Sequence, residues 1–380
     1  MMLQKKSDLR NYFQCILCLM DTNDDPNITF NEKGVCNHCE NYKYEEENFV
    51  FSGETGKKRF DDFIQHMKAD GKNKPYDCII GISGGVDSTY LALIAKENGL
   101  RALGVHCDNG WNSELAINNI ESIVKTLDMD LYTYVIDWEE FRDIQLSYFK
   151  ANVIDIEAIT DLAFRAVLEK TSIKYNQKYF LSGDNIVTES VLPKAWICKD
   201  YQNLINIHKK FGKIPLKTFP ILNQVRSAIN KKSNPTVNVA LLNLIEYKKD
   251  VVKERIIKEL GWRDYGGKHF ESVFTRFYQG YILPNKFNVD KRKAHLSNLI
   301  CSGQMTKEEA IEEMKKPIYD PKMYQVDREF VLKKLGFTDK EFDNYIAAPQ
   351  VEHKVYGFTQ SIYAKYPILK IARPVINLLK

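Results

Sequence analysis

The stretch that most constrains this chain is Tyr76 to Ser88, Y-D-C-I-I-G-I-S-G-G-V-D-S. A short apolar run with three β-branched residues, Ile79, Ile80 and Ile82, ends in Ser83-Gly84-Gly85-Val86-Asp87-Ser88. A periodic apolar segment, Thr89 to Lys96, follows at once. That order predicts a buried strand, a tight glycine turn and a helix. Two successive glycines let a phosphate approach bare backbone, because no Cβ intervenes. The unpaired amides of the turn and the first helical turn form an anion site, with the positive end of the helix dipole behind it. Ser83 and Ser88 add hydroxyl donors. Asp87 is an anion inside an anion site, so it calls for a cation, and Mg²⁺ bridging to phosphate meets that need. A ligand-free turn is the plain alternative; the full hexapeptide directly after a buried strand weighs against it.

The loop is not the Walker pattern, which places a lysine after its glycines at a spacing absent here. It resembles the pyrophosphate loop (PP-loop) of the ATP pyrophosphatases, a superfamily that includes the GMP, asparagine, argininosuccinate and NAD synthetases and the tRNA thiolases. The resemblance implies an adenine nucleotide α-hydrolase-like fold in which Ser83, Gly84, Gly85, Val86, Asp87 and Ser88 hold ATP. It also implies cleavage between the α- and β-phosphates, with AMP passing to an oxygen of the substrate.

From residue 76 to 190 strand and helix patterns alternate. Strands are expected at Asp77–Ile82, 102–107, 131–136 and 179–182, with helices between them and Gly99 as a helix stop. This rhythm means an α/β fold, an open parallel sheet wrapped by helices. Ligands in such sheets sit at the carboxyl ends of the strands. Besides the glycine turn, that rule selects His106-Cys107-Asp108-Asn109-Gly110 and Gly183-Asp184-Asn185. The first resembles the superfamily's D-N-G segment near the nucleotide, which assigns His106 and Asp108 to nucleotide binding; an ordinary surface turn is the alternative for Asp108. The second resembles a later glycine-containing segment with a downstream acid, although G-D-N stands where many relatives carry G-H-N. It implies Gly183 beside the nucleotide and Glu189 sharing Mg²⁺ with Asp87, against an exposed helix glutamate.

Residues 10–45 carry Cys15-x-x-Cys18 and Cys36-x-x-Cys39 with 17 residues between the pairs. This spacing matches a tetrahedral zinc ribbon, whose closed four-sulfur shell suits a structural role. An iron–sulfur cluster is the competing occupant. Asp24 to Phe30 suits a small hairpin, and His38 is expected as a bystander. The nucleotide domain is expected over 76–260, after a polar connector at 46–75, with a helix at 240–261 packing over the sheet. A mostly helical region, 261–380, is expected to complete the substrate site. Its segment 261–306 interleaves Lys268, Arg276, Lys291, Arg292 and Lys293 with aromatics and glycines. Read functionally, this is a basic wall over triphosphate and an acidic substrate, with Lys268 and Arg276 beside the reaction; read plainly, it is a solvated basic helix. The apolar last 20 residues, broken by Pro367 and Pro374, are expected to dock on the body or on a second subunit.

The chain has 380 residues, a net charge of +4 and eight cysteines. So mild a charge gives no reason to expect nucleic acid as a partner. No signal sequence and no apolar run of membrane-spanning length is seen, so a cytoplasmic protein with reduced cysteines is expected. The cysteines outside the ribbon form no second C-x-x-C, which a thiolase would favour, and none sits in a glutaminase elbow.

The ribbon, Val35-Cys36-x-x-Cys39, the PP-loop, Tyr265-Gly266-Gly267-Lys268-His269 and Ser302-Gly303-Gln304-Met305 together resemble the bacterial N-acetyl sugar amidotransferases of surface-polysaccharide and nonulosonic-acid pathways, the pseudaminic acid enzymes among them. The resemblance covers roughly residues 10–315. It implies ATP, Mg²⁺ and Zn²⁺ as cofactors and an N-acetyl sugar or nucleotide sugar as substrate. Adenylation of the acetamido oxygen and displacement of AMP by ammonia would give an acetamidino group. Ammonia would come from a separate glutaminase resembling that of histidine biosynthesis, with a cyclase-like partner. A PP-loop tRNA thiolase and a non-catalytic nucleotide-binding module are the alternatives.

Overall fold

The computed structural model describes residues 12–222, 236–267 and 270–359. At its centre lies a five-stranded sheet, β1 (Cys78–Gly81), β2 (Ala102–Asp108), β3 (Leu131–Val135), β4 (Tyr179–Leu181) and β5 (Val237–Val239), in the order β3-β2-β1-β4-β5. All four pairings are parallel; Cys78 faces Ala102, Ile79 faces Leu103 and Phe180, and Val105 faces Tyr132. The central β1 is buried on both faces, which explains its unbroken apolar run. The expected alternation of strands and helices is observed, with helices at Val86–Glu97, Glu114–Leu127, Trp138–Ala151 and Ala158–Lys174. Gly99 takes a left-handed conformation (φ 66°) and its amide closes the preceding helix on the Lys96 carbonyl.

Because every pairing is parallel, all strand carboxyl ends lie on one side, where the glycine turn, the loop after β2 and the loop after β4 converge. The Ala158–Lys174 helix runs back antiparallel to β4, so its first turn stands on this same side. The Asn109 amide donates to the Thr160 hydroxyl at 3.0 Å, tying that turn to the loop after β2.

Two expectations need correction. Residues 240–261 are not one helix: a short 3-10 turn at Leu241–Leu244 precedes a helix only at Lys249–Leu260. The extended link is held by the Asn243 side-chain oxygen, which accepts from the Ile186 amide at 2.9 Å, and it carries Tyr247 into the core. Within the polar connector expected at 46–75 the chain forms the helix Gly53–Gly71, and the helix Asn37–Phe49 leads into it from the ribbon. In the ribbon the expected hairpin is reduced to isolated antiparallel bridges, Gln14 with Asp21 and Phe30 with Cys36.

The C-terminal region is helical, with helices at Lys291–Cys301, Lys307–Lys315, Pro321–Leu335 and Asp339–Ala347 after a π-helical stretch at Tyr278–Phe287 that contains Pro284. Two of these helices begin with capping boxes, at Thr306–Glu309 and Thr338–Glu341. Trp111, Phe141, Phe149, Phe274, Phe277 and Phe342 join this region to the sheet's outer helices in one apolar cluster that also contains the four ribbon cysteines. Among the described residues no helix is long and apolar enough to cross a membrane. Residues 360–380, with their expected docking role, lie outside the described residues.

Candidate functional site

Local sequence builds the glycine turn. The Ile82 amide still donates to Val105 of β2 at 2.9 Å, so the strand holds its register to the first residue of the loop. Beyond it, the Ser83 and Ser88 hydroxyls lie 3.1 Å apart, the Gly85 amide donates to Ser83 Oγ, and the Thr89 hydroxyl donates to the Gly85 carbonyl at 2.7 Å. Gly84 has φ 82°, and a Cβ there would come within 2.9 Å of the Tyr265 hydroxyl. Its carbonyl accepts from both Trp262 Nε1 and Tyr265 Oη at 2.7 Å. No side chain caps the following helix, so its first-turn amides remain for an anion.

Asp87 sits in that first turn. One of its oxygens accepts from the Tyr247 hydroxyl and, at 3.4 Å, from the Asn185 amide. Burial first, then the neighbouring Asp87, pushes the Tyr247 pKa well up, so the phenol stays a proton donor. The Glu189 charge adds to the same shift. Asn185 Oδ1 caps the short Ile186–Glu189 helix by accepting from the Thr188 amide and hydroxyl, both at 2.9 Å. A Cβ on Gly183 would stand 3.2 Å from the Ser88 amide nitrogen, a tight contact that glycine avoids where the loop after β4 passes the glycine turn. Asp87 and Glu189 are hard oxygen donors of the kind that could hold Mg²⁺ beside a phosphate cradle.

The loop after β2 braces the same corner. His106 is buried; its Nδ1 faces the Ile82 carbonyl at 2.9 Å and its Nε2 faces the Asn112 amide at 3.0 Å. Those partners make Nδ1 the donor and Nε2 the acceptor. Asp108 closes its own turn, accepting from the Gly110 amide at 2.8 Å and from Asn112 at 3.2 Å. Residues 111–113 then pair with 271–273: Ser113 donates to the Glu271 carbonyl and Val273 to the Trp111 carbonyl, both at 2.9 Å. This ladder brings Glu271 to the glycine turn, where a Cβ on Gly85 would meet its carboxylate at 3.7 Å.

The expected basic wall is largely dismantled. Lys293 reaches back to the ribbon, 2.7 Å from Asp21 and 3.0 Å from Asp24. Arg292 is held by Asp290 at 2.7 Å and donates to the Lys316 carbonyl. Arg276 forms a two-bond fork with Asp327 at 2.6 and 2.8 Å. These cations neutralise acids of the fold; opposite charges in partly buried positions pair before any ligand arrives. Lys268 lies outside the described residues. Sequence reasoning missed Tyr247, Glu271 and Glu157; none sits in a motif, and only chain folding brings each to the strand ends.

The four ribbon cysteines meet with all sulfurs within 4.8 Å of one another. Cys15–Cys39, Cys18–Cys36 and Cys36–Cys39 sulfurs are 3.8, 3.7 and 3.6 Å apart. A tetrahedron with Zn–S bonds of about 2.3 Å has sulfur–sulfur edges of about 3.8 Å, so this set fits zinc. Backbone amides of Leu17, Met20 and Cys36 point at the sulfurs from 3.3 to 3.4 Å. His38 is no ligand, since its Nε2 lies 2.9 Å from Asp25. Cys301, unremarked in the sequence, brings a fifth sulfur to 3.6 Å from Cys39. The Asn37–Phe49 helix that leaves the centre packs beside Ile186–Glu189, where Glu45 accepts from the Ser190 hydroxyl at 2.5 Å. The ribbon thus buttresses the segment that carries Glu189.

Residues 271–370 match the family described as LPS biosynthesis protein WbpG-like, C-terminal domain. No curated protein matches the chain. Among solved structures, NMN synthetase from Francisella tularensis aligns at 14% identity with a TM-score of 0.35, over 73% of this chain and 96% of its own. The NH3-dependent NAD synthetase from Campylobacter jejuni, in complex with the nitrate ion, aligns at 14% identity with a TM-score of 0.29, over 54% of this chain and 94% of its own.

Proposed function

We propose that this chain is an AMP-forming, ATP-dependent amidotransferase of bacterial surface-glycan biosynthesis that acts on an N-acetyl sugar. The observation that carries the reading is the complete S-G-G-V-D-S turn at the end of β1, with Asp87 in the first helical turn and Glu189 near the same phenol. The match of residues 271–370 to a lipopolysaccharide-biosynthesis family supports the glycan context.

In this reading the amides and hydroxyls of Ser83–Ser88 hold the β- and γ-phosphates. Mg²⁺, when bound by Asp87 and Glu189, neutralises phosphate charge. Tyr247 and Asn185 orient Asp87 by donating to it. The acetamido oxygen attacks the α-phosphate, pyrophosphate leaves, and the resulting imidate carries AMP as its leaving group. Ammonia forms the new C–N bond while the C–O bond to AMP breaks. The ammonia comes from a separate glutaminase subunit. Zinc on Cys15, Cys18, Cys36 and Cys39 serves structure alone, because four thiolates close its shell.

The test is incubation of the full chain with ATP, Mg²⁺, ammonium and candidate N-acetyl sugars, scored for AMP and pyrophosphate. Sugar-dependent AMP release is expected. ADP release would remove the PP-loop assignment, and AMP release only with tRNA and a sulfur donor would replace the sugar reading by thiolation.

A further inference from the structure

Cys301 closes the Lys291–Cys301 helix, and one face of that helix is turned to the ribbon. Lys293, Ser297 and Cys301 recur every four residues, the spacing that puts side chains in one row. Each meets the ribbon. Lys293 pairs with Asp21 and Asp24 at 2.7 and 3.0 Å, and the Ser297 hydroxyl accepts from the Leu19 amide at 3.1 Å. The third member, Cys301, donates its thiol to the Cys39 sulfur at 3.6 Å. Just beyond the helix, Lys307 donates to the Cys15 and Ile16 carbonyls at 2.6 and 3.1 Å. The approach of the fifth sulfur is therefore fixed by a helix held to the ribbon on both sides of it.

Two features single out the Cys39 corner of the centre. The 3.6 Å between Cys301 and Cys39 equals the separation of Cys36 and Cys39, two members of the ligand set. Cys301 thus stands at the distance of a neighbouring ligand, beside one corner of the set. Anchoring also differs between the corners. Backbone amides donate to Cys15 from Leu17 and Cys36 and to Cys18 from Met20; among the described residues none donates to the Cys39 sulfur. A sulfur without an amide to hold it is the one a competing thiol can displace. Cys301 is half-buried, whereas the four ligand cysteines are buried.

We propose that Cys301 is a fifth thiol of the metal centre, which exchanges with Cys39 as the fourth zinc ligand. The exchange balances. Cys301 forms one sulfur–zinc bond as Cys39 gives one up, and the Cys301 proton passes along the S–H···S contact to the departing Cys39 sulfur. Four thiolates remain on the metal, as a closed shell requires. With Cys301 bound, the Lys291–Cys301 helix itself carries a ligand, so the metal joins the C-terminal region to the ribbon. Nothing in this depends on the reaction proposed for the phosphate turn.

The test is metal binding by the full chain, with zinc and in parallel with cobalt, whose thiolate absorption scales with the number of bound sulfurs. Cys39→Ser should keep about one zinc per chain and the wild-type cobalt–thiolate absorption, because Cys301 restores the fourth sulfur. Cys39→Ser/Cys301→Ser should lose about a quarter of that absorption and bind zinc about tenfold more weakly or worse. Cys301→Ser alone should match wild type. Equal losses in Cys39→Ser and the double variant would overturn the proposal. Limited alkylation of the zinc-loaded wild type with iodoacetamide, mapped by peptide mass spectrometry, decides the matter where a variant does not fold. Bound thiolates are shielded, so exchange predicts label shared between Cys39 and Cys301 while Cys15, Cys18 and Cys36 stay unlabelled. Label on Cys301 with Cys39 untouched throughout would overturn the exchange, and so would a wild type that binds no zinc. Neither result bears on AMP formation at the phosphate turn.

Discussion

The phosphate turn and the basic segment at 261–306 looked equally suggestive as strings of residues, yet they fared differently. In the turn, every named residue lies where the motif implies: Ser83 beside Ser88, Gly84 left-handed, Asp87 in the first helical turn. In the basic segment, Arg276, Arg292 and Lys293 are each bound to an acid of the fold, and the Lys291 ammonium lies 6.0 Å over the Tyr278 ring. A loop of adjacent residues carries its geometry in its own backbone. A scattered set of cations carries only charge, and the nearest buried acid claims it.

Several substitutions test that contrast. The largest effect is expected at Asp87. Asp87→Ala should lower AMP formation by about 10³-fold or more while the protein stays folded, since it removes the carboxylate that the proposed function gives to Mg²⁺. Far-UV dichroism and an AMP assay check this together, and near-normal turnover would strip the turn of its catalytic reading.

Next is Cys36→Ser. It opens a site whose metal binding is folding free energy, so zinc content should fall and the melting temperature should drop by well over about 10 °C. Elemental analysis and thermal melts decide; full zinc retention in the variant would show that the four sulfurs are not the ligand set.

Lys293→Ala probes the dismantled wall directly. It strands Asp21 and Asp24 in the ribbon with little solvent around them, which should cost about 3 kcal/mol in urea unfolding. If the variant unfolded normally but lost nucleotide affinity, Lys293 would belong with the phosphate turn after all. Gly183→Ala is milder: its methyl group meets the Ser88 amide, so a stability loss of about 1 kcal/mol and a several-fold rise in the KM for ATP are expected.

The smallest effect concerns pH. Glu157 in the folded chain binds its proton up to about pH 8, whereas the unfolded chain releases it near 4.5. Its contribution to stability is therefore fully present below about 4.5 and is lost as pH rises towards 8. His353 acts in the opposite sense. Burial lowers its pKa to about 4, so stability falls as pH drops from about 6.5 towards 4. Urea titrations across pH 5 to 8 should show a shallower decline with rising pH in Glu157→Gln than in wild type; identical slopes would mean that Glu157 titrates as an ordinary carboxyl.

Much of the scaffold was legible before any coordinates. β1 to β4 announce themselves by apolar runs ending at glycine, asparagine or aspartate. The four ribbon cysteines were readable because thiolates at a two-residue spacing have one common use. β5 was missed because three residues, Val237-Asn238-Val239, carry too little pattern, and the link after it was read as helix because its leucines recur at helical spacing. Tyr247 was invisible for a related reason: its role is to reach Asp87, 160 positions away in the chain. Cys301 likewise meets Cys39 across 262 positions.

By itself, then, the sequence determined a parallel α/β sheet, a phosphate-type turn at the end of β1 and a four-sulfur centre. Each is encoded by neighbours whose backbone geometry follows from their own residue types. Tertiary structure decided which charges remain for a ligand. Ion pairing is settled by distance through space, and only the folded chain brought Lys293 to Asp21 and Arg276 to Asp327.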